Sequence, residues 1–280
     1  MQNLLQAPFV QAQAVVIRQE SVSSRYFLLR LLCQAVASRA QPGQFVMLGC
    51  AHVPDGTCDP LLPRPLAVMD AHAGEIELLY FVAGRGTHLL RRAGEMPGTV
   101  LSIIGPLGQG FEPIKDVDAH IGLGGGSGIA PLVFFFRKHA KKLDWHLVLA
   151  ARSADQLARE DVVQAPGILH RATDDGSCGM RGTAVDALSG LLQGELKGRR
   201  VGVYAAGPEP MMRAAATVCQ KAGLPIRVSL ESPMACGVGV CRACVVDGIR
   251  PHPKTGLLRR TVCQDGPVFD VADLAGWRSP

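Results

Sequence analysis

Near residue 114 the hydrophobic rhythm of the chain changes, and that change restricts the fold more than any single motif does. Before it, "AQAVVIRQES", "SRYFLLRLL", "GQFVMLGC", "LAVMDA", "EIELLYFVA" and "TVLSIIGPLG" are short apolar or alternating runs, punctuated by Gly, Pro and Asp at hairpin spacing. Such runs predict an antiparallel β-barrel or sandwich. After it, "DAHIGLGGGSGIAPLVFFFRKHAKKL", "WHLVLAARSADQL" and "RRVGVYAAGPEPMMRAAATVCQKAG" each read as a strand, a loop and a helix. Strands alternating with helices imply a doubly wound parallel sheet. The expected fold class is therefore β followed by α/β. An antiparallel barrel domain covers 1–113, a parallel-sheet nucleotide domain 114–226, and a small thiol-rich domain 227–280.

A chain of 280 residues is long enough for two or three such domains. Its formal charge of +5 is spread along the chain rather than massed in a tract, which argues against nucleic acid as the main ligand. The N-terminal "MQNLLQAPFVQAQ" has no basic segment followed by a long apolar core, and the longest apolar run, 129–136, is too short to span a membrane. A cytoplasmic protein without a membrane partner is expected. There, nine cysteines do not suggest a disulfide framework. Cys33, Cys50, Cys58, Cys178 and Cys219 are scattered and read as small buried hydrophobes.

The other four cysteines are ordered. Cys236, Cys241 and Cys244 in "MACGVGVCRACVV", followed after 18 residues by Cys263, spell C-x4-C-x2-C…C. That is the plant-type [2Fe–2S] spacing. Gly237 and Gly239 let the backbone approach the sulfur core and turn N–H groups toward it. A four-thiolate zinc site would also use a C-x2-C pair, but usually two separated ones, whereas here the second half is a lone Cys263.

Gly124, Gly125, Gly126, Ser127 and Gly128 join a buried strand to a helix, where backbone N–H groups can meet a pyrophosphate. The loop is not G-x-G-x-x-G, because Ser127 stands where the third Gly belongs. Nor is it the G-x-S-x-G nucleophile elbow, because Ile129 replaces the final Gly. A Gly-rich turn without a ligand fits the same letters. Ala206, Gly207 and Pro208 end the third strand and would line the same crevice, since ligands sit beyond the carboxyl ends of parallel strands. At the end of the second strand, Arg152 and Ser153 suit a 2′-phosphate, although Arg152 can equally pair with Asp155 or face solvent. His88 and His252 carry no ligand spacing.

Taken in order, these pieces resemble the ferredoxin–NADP reductase superfamily, specifically the electron-transfer subunits of class 1B dihydroorotate dehydrogenases. "RPLAVMDA" resembles the family's flavin stretch R-P-x-S, "LYFVAGRGTHLL" its second flavin segment and "GPLGQGF" the end of its barrel. "GGGSGIAPL" and "AAGPEPMM" resemble its nicotinamide motifs, and "LESPMACGVGVCRACVV…VCQDGPVF" its cluster domain. The resemblance implies FAD, a [2Fe–2S] cluster on Cys236, Cys241, Cys244 and Cys263, and NAD(H), with NADP(H) open. It places Arg64, Pro65, Leu66 and Ala67 along the isoalloxazine and ribityl groups, Leu79, Tyr80 and Phe81 on the neighbouring strand, and Gly86 and Thr87 at the pyrophosphate. Gly124 to Gly128 with Ala206, Gly207 and Pro208 would meet the nicotinamide nucleotide.

Two positions depart from the pattern: Ala67 stands for the usual Ser and Ala206 for a frequent Cys, each removing a polar group near the reacting rings. The implied role is electron transfer between an FMN-bearing dihydroorotate dehydrogenase catalytic subunit and NAD, in a heterotetramer, with no catalytic acid–base pair on this chain. Small subunits of NADH-dependent ferredoxin:NADP oxidoreductases and of sulfide dehydrogenases share every motif quoted. A non-enzymatic redox or iron sensor would need the cluster alone.

Overall fold

Alternating core and surface residues close the first part of the chain into a barrel. In the computed structural model, which describes residues 9–50, 59–139, 144–164, 167–253 and 255–277, the barrel strands are β1 (Val10–Ser21), β2 (Tyr26–Leu32), β3 (Phe45–Leu48), β4 (Arg64–His72), β5 (Glu75–Phe81) and β6 (Val100–Leu107). They pair antiparallel in the closed order β1-β2-β5-β4-β3-β6. Leu29 and Leu31, Val46 and Leu48, Ile76 and Leu78, and Leu101 and Ile103 share one buried cluster at the period of two that the sequence runs carry. Each such side chain contributes about 1.5–3 kcal/mol when fully buried. Helices α1 (Gln34–Ala37) and α2 (Arg85–Gly94) add Val36 and Ala37, and Leu90 and Ala93, to this cluster.

The second unit is a parallel sheet of β7 (Ala119–Gly125), β8 (Trp145–Ala151), β9 (Ile168–Thr173), β10 (Met180–Arg181), β11 (Val201–Ala206) and β12 (Ile226–Ser229), ordered β10-β9-β8-β7-β11-β12. Its helices are α3 (Ile129–His139), α4 (Glu160–Val163), α5 (Ala184–Gln193) and α6 (Glu209–Lys221). Residues of α3 and α4 pack with Leu147, Leu149 and Tyr204, whereas α5 and α6 pack with Ile121, Val148 and Val203, so the sheet is covered on both faces. Helix α3 is buried from Ile129 to Phe136 because the sheet lies on one side and β4 of the barrel on the other. At its end Arg137 Nη1 donates to Asp70 Oδ2 on β4 at 2.5 Å, tying the two units together.

Strands β13 (Val245–Asp247) and β14 (Arg259–Thr261) form a small hairpin leading into α7 (Val262–Asp265). The chain then returns as β15 (Val268–Asp270), antiparallel to β12, with Val268 opposite Ser229. The boundary expected after residue 226 thus falls at the first residue of β12, and the thiol-rich segment leaves the nucleotide sheet and rejoins it. Cys244, Val262 and Cys263 pack with Phe45, Met47 and Leu107 of the barrel.

Cys33 and Cys219 are buried, Cys50 and Cys178 half-buried, and Cys58 lies outside the described residues. Among the described residues, no helix is long and apolar enough to cross a membrane.

Candidate functional site

The strand order reverses between β7 and β11, and a crevice opens beyond the carboxyl ends of such a pair. Here it merges with the barrel surface into a cleft of about 450 Å3. One wall is Arg64, Pro65, Leu66 and Ala67 of β4, Leu79, Tyr80 and Phe81 of β5, and Thr87 of α2; the other carries Ser127, Gly128, Ala206 and Gly207. The remaining residues singled out from the sequence stand behind these walls. Gly86 lies under Arg64, Gly124 and Gly125 belong to β7, Gly126 starts the turn into α3, and Pro208 precedes α6.

Strand alternation divides β5. Leu79 and partly buried Phe81 pack with Tyr26 and Ala67, whereas Tyr80 enters the barrel core and its hydroxyl donates to Gln19 Oε1 at 2.5 Å. Burial pushes that phenol well above its ordinary range. The strand therefore offers aliphatic and phenyl surface to a flat ring, not the phenol.

At one end of the cleft the Arg64 side chain lies on the first turn of α2. A Cβ added at Gly86 would stand 2.3 Å from Arg64 Nε, so only glycine leaves the guanidinium there. The Thr87 hydroxyl accepts from the Ala83 and Gly84 N–H groups at 2.8 and 3.2 Å and donates to Gly84 O at 3.1 Å, which fixes the approach to the helix. A guanidinium beside a helix N-terminus fits a pyrophosphate.

The opposite wall is built by close backbone approach. A Cβ at Gly128 would stand 2.3 Å from the Ala206 carbonyl oxygen, and Gly126 has φ +59°. Any side chain at 128 would push the ends of β7 and β11 apart and fill the crevice. At the end of β8 the Ser153 hydroxyl donates to Asp155 Oδ1 at 2.5 Å. Hydrogen bonds from Ser153 and then Ser24 hold the Asp155 carboxyl below the usual carboxylate range. Arg152 is exposed beside it. A firmly anionic Asp155 suits a ribose hydroxyl and disfavours a 2′-phosphate.

The sequence reading missed part of the cleft. Ser229, which ends β12, and Leu230, Glu231, Ser232, Pro233 and Met234, which follow it, also line it, as do Gly43 and Phe45. Glu231 is exposed to the cleft, yet the surrounding protein raises its carboxyl. The available signal was positional: "LES" directly follows the last parallel strand, and the segments beyond strand ends line such crevices.

Met234 on the cleft wall is two residues from Cys236, so the chain itself holds the cleft and the thiol loop within about 7 Å at that point. Gly237 and Gly239 are left-handed, with φ +71° and +83°. The Val238 and Cys241 N–H groups donate to Cys236 Sγ at 3.4 Å each, and Gly239 N–H donates to Cys263 Sγ at 3.2 Å. The four thiols fall into two contacting pairs, Cys236 with Cys241 and Cys244 with Cys263. Burial raises the Cys236 thiol, but these backbone donors outweigh it and bring it down to about 7. Burial, then the Cys244 neighbour, pushes Cys263 up to about 12. Two thiol pairs, already met by N–H donors, fit a two-iron cluster, which Cys236, Cys241, Cys244 and Cys263 would hold.

A flavin cleft on a barrel, a nucleotide crevice facing it and a four-thiol loop beside both define an iron–sulfur flavoprotein reductase of the ferredoxin–NADP reductase type. Comparison with known proteins makes this specific. Residues 231–275 match the iron–sulfur cluster binding domain of dihydroorotate dehydrogenase B. The dihydroorotate dehydrogenase B (NAD(+)) electron transfer subunit of Geobacillus kaustophilus is 35% identical over 266 residues, covering 92% of this chain and 96% of that protein. Its counterpart from Desulforamulus reducens is 33% identical over 262 residues, covering 91% and 95%. The chain belongs to this family of electron transfer subunits. Among solved structures, an NADH-dependent reduced ferredoxin-NADP oxidoreductase is similar with TM-score 0.78 and 28% identity, covering 94% of this chain and 90% of that one. The ferredoxin reductase of carbazole 1,9a-dioxygenase shares the fold, with TM-score 0.64 and 18% identity over 79% of this chain and 69% of that one.

Proposed function

We infer that this chain is the electron transfer subunit of a dihydroorotate dehydrogenase of the B type, passing electrons among a [2Fe–2S] cluster, FAD and NAD(H). The observation that carries this reading is the covalent adjacency of cleft and cluster loop, Met234 against Cys236. Bound FAD supplies exchange between a two-electron hydride donor and a one-electron cluster. Around it, Arg64 and the start of α2 hold the pyrophosphate, Leu66, Ala67, Leu79 and Phe81 flank the ring, and the bare wall at Gly128, Ala206 and Gly207 admits a nicotinamide against it. Gly124 to Ser127 and Pro208 shape that wall from behind. Cys236, Cys241, Cys244 and Cys263 hold the cluster, which faces the partner. The dihydroorotate site lies on that partner, the FMN-bearing catalytic subunit, and flow runs from dihydroorotate to NAD in pyrimidine biosynthesis within a heterotetramer.

We also read three functional units: the FAD barrel over 1–113, the nucleotide sheet from 114 through β12 with β15 as its edge, and the cluster module held between those two strands. A cytoplasmic location is supported by the reading of Cys236, Cys241, Cys244 and Cys263 as cluster ligands, since thiols are kept reduced in that compartment.

The test is dihydroorotate-dependent NAD reduction by the complex purified from its native cells, with and without this chain. Activity lost on removing the chain supports the reading. An inactive complex whose flavin still accepts electrons from NADH would instead favour the ferredoxin-linked oxidoreductases that the 28%-identical structure represents.

A further inference from the structure

A second polar constellation lies at the amino ends of the parallel strands, away from the cleft. His146 is the second residue of β8 and His170 the third of β9, on adjacent strands. Their neighbours two residues on, Val148 and Ala172, pack with Ala187 and Leu188 of α5, so both imidazoles belong to the α5 side of the sheet. Glu195 follows the end of α5 and reaches the same point. One imidazole nitrogen from each histidine and one Glu195 carboxylate oxygen lie within 4.8 Å of one another. His146 Nδ1 stands 3.0 Å from His170 Nε2, and the rings stack at 10°.

A simple hydrogen bond between two neutral imidazoles explains one contact but not the convergence of a third lone-pair donor. The groups behind His146 add to this. Its other nitrogen, Nε2, faces Asp144 Oδ1 at 3.7 Å, and Asp144 Oδ2 in turn accepts from Arg199 Nη2 at 2.7 Å. A carboxylate behind an imidazole favours the proton on Nε2 and leaves the Nδ1 lone pair for the shared point, the arrangement found behind metal-bound histidines. His146 is 1% exposed, His170 half-buried and Glu195 exposed, so the point opens to solvent on the glutamate side, where water can complete a coordination sphere. Two nitrogens on one tetrahedral zinc are roughly 3.3 Å apart, which the observed pair meets with a shift of a few tenths of an ångström.

We propose that His146, His170 and Glu195 bind one divalent transition-metal cation of the zinc class, with Asp144 orienting His146. The ion joins β8, β9 and the exit of α5. It stands about 16 Å along β8 from the strand's carboxyl end, so it braces the nucleotide unit and takes no part in electron transfer.

The test uses the holoenzyme without a histidine tag, its cluster thiols occupied by iron. Protein equilibrated with zinc sulfate and freed of excess metal by gel filtration is assayed for zinc and iron. One zinc per chain beyond the cluster iron is expected in the wild type and none in His170→Gln. Glu195→Gln, at an exposed position that leaves the core intact, should bind zinc at least tenfold more weakly, and Asp144→Asn ten- to a hundredfold more weakly. Zinc should raise the melting temperature of the wild type but not of His170→Gln. No zinc in the wild type, or equal zinc in wild type and His170→Gln, would overturn the proposal.

Discussion

The Gly239 N–H donates to Cys263 Sγ across 3.2 Å, joining one side of the thiol loop to the cysteine that arrives from α7. At φ +83°, a Cβ at this position would lie 2.4 Å from Gln264 Oε1, so the contact depends on glycine. Gly239→Ala should displace this donor. An N–H bond to a cluster sulfur stabilises the reduced, more negative state. The variant that retains its cluster should therefore show a lower midpoint potential, read by a redox titration followed by electron paramagnetic resonance. An unchanged potential would show that the contact does not tune the cluster.

Arg64 is the single cation on the described cleft wall. Removing a charge-assisted contact of this kind costs about 1.5–3 kcal/mol. Arg64→Ala should accordingly weaken FAD binding roughly ten- to a hundredfold, measured by flavin release on dilution, while cluster iron stays constant.

Ala67 and Ala206 both line the cleft and carry no polar group at its reacting surface. Ala67→Ser and Ala206→Cys add one small polar atom each without filling the cleft. Flavin content should be retained while flavin potential or the rate of reduction by NADH shifts. If stopped-flow reduction and potential both match wild type, these positions do not set the flavin's reactivity.

The anionic Asp155 at the end of β8 should exclude a 2′-phosphate. Asp155→Ser should raise the efficiency of NADP(H) relative to NAD(H) several-fold, because the like-charge repulsion it relieves acts at an exposed, solvent-screened position. The ratio of kcat/KM for the two nucleotides checks it.

His120, buried on β7 against Tyr204, is pushed by burial down to about 4. The Tyr204 hydroxyl accepts the Ile114 N–H at 2.6 Å and lies 3.0 Å from His120 Nδ1. The unfolded histidine titrates near 6.5, so between pH 6.5 and 4 the unfolded chain binds the extra proton. This contribution to stability is complete above pH 6.5 and declines as pH falls through that window, by about 1 kcal/mol at pH 5.5. The melting temperature should therefore fall less between pH 7.5 and 5.5 in His120→Gln than in wild type.

The barrel strands and the three strand–helix units were legible because burying one face imposes a period of two, and because glycine and proline mark the turns between them. The cysteine spacing was legible because sulfur chemistry leaves few alternatives. Other features depend on tertiary closure. Strand β15 is three residues, too short to show a pattern, and its pairing with β12 arises only when the chain returns. Glu231 entered the cleft because β12 ends there, and His146 met His170 across 24 residues only through strand register.

Because Ser229 and Val268 face each other across an antiparallel pair, the cluster module is an insertion between two adjacent strands rather than a tail appended to the nucleotide unit. Truncating the chain before residue 231 would strip the edge strand and bare β12 to association with other chains. Replacing the segment between Met234 and Pro267 with a short linker would keep both the sheet and this part of the cleft whole. The flavin half of the molecule could then be prepared without its iron, a subtraction that simple shortening of the chain cannot achieve.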